Sequence, residues 1–210
     1  MIKKILQYLN QKEYDIKHYI AFDLLKLPEQ RPMMNYIRST GNTNLVGVEI
    51  GVYKGKHAIS MLRTMDIKML YLIDPFLNYK DYTDNYGGEK SLENDVMDAT
   101  IRRLLPYKNK IELIRKFSSE VMSQDVPDNL DFVYIDGNHS YEYVRGDIEM
   151  YYPKLKIGGV IGGHDITNGG CPEHDGIIEA VAEFAVKNNL QIYIENPDWW
   201  IVKKFNKLGE

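Results

Sequence analysis

The chain has 210 residues and a formal net charge of −4, enough for one substantial core and too few for two ordinary domains. That charge gives no general attraction to nucleic acid or anionic membranes. The single cysteine, Cys171, excludes an internal disulfide, and no apolar run reaches membrane length. The basic start, Met1 to Leu6, meets polar residues at Gln7 and Asn10 and lacks the apolar centre of a signal peptide. A soluble, cytoplasmic protein with neither nucleic acid nor membrane as partner is expected.

Residues 1–44 precede the first strand pattern. Helix-compatible apolar spacing around Ile5, Leu6 and Leu9 recurs around Ile20, Phe22, Leu24 and Leu25, before a proline-bounded stretch from Leu27 to Pro32. This segment is expected to be a helical cap, either closing over a ligand mouth or packed on a sheet edge with no functional role. Residues 45–210 are expected to form the one domain it accompanies.

Within that domain the apolar run at 45–50 carries Glu49, turns on Gly51 and Gly55, and passes into a helix-compatible segment, 56–65. A second apolar run, Met69 to Ile73, ends on Asp74. A Rossmann-like unit presents a nucleoside cofactor in this way: glycines admit a close backbone approach, and the second carboxylate accepts the ribose hydroxyls. The glycine spacing is not that of a dinucleotide loop, which gathers backbone N–H groups around a pyrophosphate. Glu49 is misplaced beside a phosphate but suits a cation. S-Adenosylmethionine, with a sulfonium, an amine and no phosphate, fits both features.

Residues 77–95 break the pattern with a polar, tyrosine-rich stretch centred on 78–88. So long a loop is either a substrate-facing lid or a disordered insertion. Further strands are expected near 111–115, 131–135 and 157–163, and a helix over 175–188. Leu190 to Glu195 and Trp199 to Lys204 then read as strands joined by the turn composition Asn196-Pro197-Asp198. So short a connection makes the pair antiparallel. The expected fold is an α/β three-layer sandwich, Rossmann-like, with a mostly parallel seven-stranded sheet ending in an antiparallel strand.

Asp136 closes the strand at 131–135, and Asp165, preceded by His164, closes the next. Parallel strands bring these ends to one edge, where ligands bind. Two carboxylates and an imidazole gathered there suit a divalent cation, Mg²⁺ or Mn²⁺; otherwise Asp136 caps the following helix and His164 bonds Asp165. His139, three residues beyond Asp136, sits where a neutral imidazole can take a proton, or serves as a solvated loop residue. Ser118 and Ser119 follow the third strand with the composition of a helix start. Glu142 and Asp147 are expected to be solvated or paired along their helix, and Trp199 and Trp200 to pack one on each face of the last strand. His57 is expected on the surface.

Four segments in order and register, Val48 to Gly55, Ile73 to Phe76, Ile135 to Glu142 and Gly158 to Asp165, resemble those of class I S-adenosylmethionine-dependent methyltransferases. The similarity spans about residues 45–205 and is greatest for the branch of macrolide-sugar O-methyltransferases and cephalosporin-hydroxylase-like proteins. The resemblance implies that Glu49, Gly51, Tyr53, Gly55, Asp74, Ser118, Ser119 and Asp136 line the cofactor, with Phe117 to Ser119 at the adenine. It implies metal ligation by Asp136 and Asp165, and a general-base role for His139. His164 departs from it, since the sugar methyltransferases carry a carboxylate there. The expected activity is a metal-assisted O-methyl transfer to a hydroxyl of a small molecule, sugar or glycan, with homo-oligomers compatible. The rivals are a cephalosporin-hydroxylase-like metal enzyme on the same scaffold, since fold alone does not fix a reaction, and a non-catalytic cofactor-binding protein.

Overall fold

The structure is a computed structural model that describes residues 31–77, 91–166 and 175–205. The expected cap helices before residue 31, the tyrosine-rich stretch 78–90 and Cys171 to His174 lie outside the described residues. In chain order the elements are α1 (Pro32–Ser39), β1 (Leu45–Ile50), α2 (Lys56–Thr64), β2 (Ile67–Ile73), α3 (Ser91–Leu104), β3 (Ile111–Ile114), β4 (Leu130–Ile135), α4 (Tyr141–Tyr151), β5 (Leu155–Gly163), α5 (Asp175–Lys187), β6 (Ile192–Glu195) and β7 (Asp198–Val202). Short 3₁₀ turns follow α3 at Leu105–Tyr107 and β3 at Ser118–Glu120.

The strands form one sheet in the order β3-β2-β1-β4-β5-β7-β6. β1 pairs in parallel with β2 and β4, β2 with β3, and β4 with β5. The last strand in the chain, β7, runs antiparallel to both β5 and β6 and lies between them, as the short 196–197 connection demands. The strand order reverses between β1 and β4, and at this switch point the ends of both strands leave a crevice.

Helices cover both faces. On one, Val48, Ile50, Val133, Ile135 and Ile161 meet Val144, Ile148 and Tyr151 of α4 and Ile177, Ala180 and Val181 of α5. On the other, Leu70, Leu72, Phe132 and Tyr134 meet Met33 and Ile37 of α1, Ala58 and Met61 of α2, and Leu104 of α3. Strands buried on both faces need continuous apolar runs, which is why these segments do not alternate with polar residues. Trp199 joins the first cluster and Trp200 the second, as the period of two requires. Each fully buried Ile, Leu or Val contributes roughly 1.5–3 kcal/mol of transfer free energy.

Several boundaries differ from the sequence reading: β5 begins at Leu155, two residues early, β6 at Ile192, two residues late, and β7 ends at Val202 rather than at Lys204. β2 begins at Ile67, two residues early. α3 begins at Ser91, inside the stretch expected as a loop; Val96, Met97, Ile101 and Leu104 recur at helical spacing, Ile101 is buried, and the other three belong to the apolar cluster on that face. Helix α1 starts on Pro32, whose missing N–H is no loss at that position. Its Met33 N–H donates to Oδ2 of the fully buried Asp198 (3.0 Å), and the Tyr134 hydroxyl donates to Oδ1 (3.0 Å). One carboxylate thus ties α1 to β4 and β7.

Candidate active site

The loop after β1 depends on positive φ at three positions: Gly51 (84°), Tyr53 (48°) and Gly55 (68°). At Gly51 a Cβ would stand 2.1 Å from the Asp136 carbonyl oxygen, so only glycine lets the β1 and β4 loops touch. Asp74 holds the turn. Its Oδ2 accepts the N–H groups of Val52 (2.8 Å) and Tyr53 (2.9 Å), and its Oδ1 accepts that of Phe76 (2.7 Å). Asp74 therefore shapes the glycine loop, a role the sequence did not announce; its remaining lone pairs are what a ribose would share. From α3, the Thr100 hydroxyl donates to the Tyr53 carbonyl and Arg103 to the Lys54 carbonyl. These two anchors were also missed, since nothing in sequence links α3 to a loop some 47 positions earlier.

His57 requires a correction. His57 lies 6 % exposed rather than on the surface, with Nδ1 3.0 Å from Oε1 of Glu49, itself 1 % exposed. The α2 face that carries Ala58 and Met61 into the core carries His57 with it, and its ring packs 4.2 Å from that of Tyr134. Among the described residues, Glu49 Oε2 has no hydrogen-bond partner, and neither has His57 Nε2. Burial pushes the Glu49 carboxyl up from its ordinary value, against the hydrogen bond and charge of His57.

Ser118 and Ser119 occupy the 3₁₀ turn beyond β3. Glu120 accepts the Phe117 N–H (3.1 Å), so the helix-start reading holds in shortened form. The Tyr151 hydroxyl donates to the Ser118 carbonyl (3.1 Å). Beneath the turn, Asp147 is buried and hydrogen-bonded to the Ser118 side chain, and burial raises its pKa to about 7. Asp147 is thus paired, though with another element rather than along its own helix. Glu142 is exposed and pairs with Arg145 at 3.1 Å.

At the ends of β4 and β5, Asp136, His139 and Asp165 come together, one ligand atom from each within 4.8 Å of the others. His139 Nε2 stands 3.9 Å from Asp136 Oδ1 and 3.6 Å from Asp165 Oδ2. All three are partly accessible. Asp165 takes φ +61°, a conformation rare outside glycine that concentrates at functional sites. His164, expected within the ligand set, falls outside this group; its Nδ1 lies 2.6 Å from Asp165 Oδ1. The adjacent turn is fixed by Asn138, whose Oδ1 accepts the Ser140 N–H (2.9 Å), and by Gly176, where a Cβ would strike the Tyr141 nitrogen at 2.4 Å. The two carboxylates, Asp136 and Asp165, are oxygen donors of the kind that suit Mg²⁺ or Mn²⁺, with His139 beside them.

Residues 48–166 match the family model described as Methyltransferase domain. An uncharacterised protein of Acanthamoeba polyphaga mimivirus is 23 % identical over 159 residues, covering 74 % of this chain and 63 % of that protein; the chain therefore spans less than two thirds of that relative. The O-methyltransferase NovP superposes with a TM-score of 0.59 at 19 % identity, covering 82 % of this chain and 80 % of its own. A caffeoyl-CoA O-methyltransferase assigned in Staphylococcus aureus gives 0.60 at 14 %, covering 96 % and 98 %. MycE of mycinamycin biosynthesis, solved with Mg, S-adenosylhomocysteine and mycinamycin VI, gives 0.56 at 15 %, covering 94 % and 55 %. At these identities the structural likenesses speak to the fold. With the family match over more than half its length, the chain belongs to the family described as Methyltransferase domain.

Proposed function

We propose that the chain methylates a hydroxyl of a small molecule, sugar or glycan, with S-adenosylmethionine as donor and a divalent ion, Mg²⁺ or Mn²⁺, beside the acceptor. The observation that carries this reading is the convergence of Asp136, His139 and Asp165 at the switch-point edge. The likeness to NovP, an O-methyltransferase, and to MycE, solved with Mg and mycinamycin VI, supports it. On the cofactor side, the spare buried oxygen of Glu49 fits the cationic end of the donor, and Asp74 and the loop of Gly51, Tyr53 and Gly55 fit its ribose and backbone. Ser118 and Ser119 flank the adenine.

When bound, the cofactor supplies an electrophilic methyl group and the ion lowers the pKa of the acceptor hydroxyl. Asp136 and Asp165 would hold the ion. His164 orients Asp165 from behind, as outer partners commonly do. His139 takes the acceptor proton at Nε2, the atom that faces both carboxylates. The close packing of the loops after β1 and β4 supports a reading in which donor and acceptor meet at one point.

Chelation should abolish turnover while S-adenosylmethionine stays bound in calorimetry, and Asp165→Asn should mimic it. Full activity after exhaustive chelation would leave Asp136 and Asp165 a structural role. Oxygen uptake with bound iron would instead favour the cephalosporin-hydroxylase-like chemistry.

A further inference from the structure

We infer that His57 is a positioning residue for the cofactor's cationic end, acting through Glu49. The inference rests on the proposed donor site and adds a residue to it. Glu49 leaves the end of β1 on the face covered by α2, where it is almost fully buried. A carboxylate there has several rotamers and a large cost of desolvation. His57 removes both problems. Its Nδ1, 3.0 Å from Oε1, ties down one oxygen, and the Tyr134 ring, 4.2 Å from the imidazole, keeps the imidazole from turning away. The second oxygen, Oε2, is left without a partner among the described residues. A carboxylate with one oxygen anchored and one free is prearranged to accept an ammonium or face a sulfonium, and prearrangement reduces the ordering cost of binding. The charges around it sharpen the point. Asp136 acts on Glu49 with like sign, and Arg31 and His57 with opposite sign. Without His57, the buried carboxyl loses its nearest compensation and favours its neutral form, which attracts a cation weakly.

The test is a double-mutant cycle read by calorimetry on the full chain, titrating S-adenosylmethionine into wild type, His57→Phe, Glu49→Gln and the double variant. His57→Phe should weaken binding about tenfold, with its thermal midpoint and acceptor KM recorded beside it. In the Glu49→Gln background the same change should cost nothing further. His57→Asn, which keeps a donor near Oε1, should bind within about threefold of wild type. If the phenyl ring prevents folding, His57→Ala carries the same expectation. Unchanged affinity in a folded His57→Phe, or losses that simply add, would overturn the inference while leaving the donor site standing. A wild type that does not bind S-adenosylmethionine would remove both.

Discussion

On the β1–β2 side of the ligand edge, Asp74 accepts three backbone hydrogen bonds and Glu49 is anchored by His57. On the β4–β5 side, Asp136 and Asp165 stand 3.9 and 3.6 Å from His139 Nε2, beyond hydrogen-bond length. The same residue types thus do different work a few residues apart. Where a carboxylate must shape a loop, the chain supplies its donors and fixes it. On the other side the chain gathers the carboxylates at ion-pair distance from His139, partly accessible, with one Asp165 oxygen held by His164. In the proposed function the first half serves binding and the second serves turnover, so each should respond separately to substitution.

The largest separation should come from His139. His139→Ala should lower kcat by roughly 10²–10⁴-fold, the usual contribution of a positioned base, with S-adenosylmethionine affinity nearly unchanged. Wild-type kcat/KM should rise with pH through one ionisation that the variant lacks. Loss of bound metal together with activity would move His139 into the ligand set. Near-normal kcat would end its role as base.

The two halves also differed in how far the sequence disclosed them. Asp136 and Asp165 were legible because parallel strands force their carboxyl ends to one edge, whatever the side chains do. Glu49, Asp74 and the glycines were legible because a strand–turn–helix has few solutions. His57 was not: a single helical histidine declares its direction only when Ala58 and Met61 are known to face the sheet and Glu49 to lie beneath them. Asp147 and Thr100 were hidden for the same reason, since each finds its partner on a different element. His164 was read either as a ligand or as a partner of Asp165, and its Nδ1 lies 2.6 Å from Asp165 Oδ1.

Asp74 gives the complementary perturbation. Asp74→Ala should weaken S-adenosylmethionine binding by roughly ten- to a hundred-fold, by removing an acceptor for the ribose and by freeing the N–H groups of Val52, Tyr53 and Phe76. Calorimetry should show the loss, and kcat at saturating cofactor should fall far less than in His139→Ala. Equal losses in kcat would mean that the two halves are not separable. Unchanged affinity would leave Asp74 a purely structural clasp.

Asp147 should give the smallest effect, and it tests whether the number of donors around a carboxylate decides its charge. It has the Ser118 side chain where Asp74 has three backbone N–H groups, and burial raises its pKa to about 7, against an unfolded value near 3.9. Between those values the folded chain binds the extra proton, so this group's contribution to stability is full at low pH and declines as pH rises through the folded pKa. From pH 6 to pH 8 the decline should be about 1 kcal/mol. Asp147→Asn keeps an oxygen for Ser118 and removes the ionisation, so its stability should fall less over that interval. Denaturant unfolding of both proteins at the two pH values measures the difference, and ionisations common to both cancel. Parallel pH profiles would mean that Asp147 stays charged despite its burial, and that one hydroxyl is enough to hold an ionised carboxylate beneath the Ser118 turn.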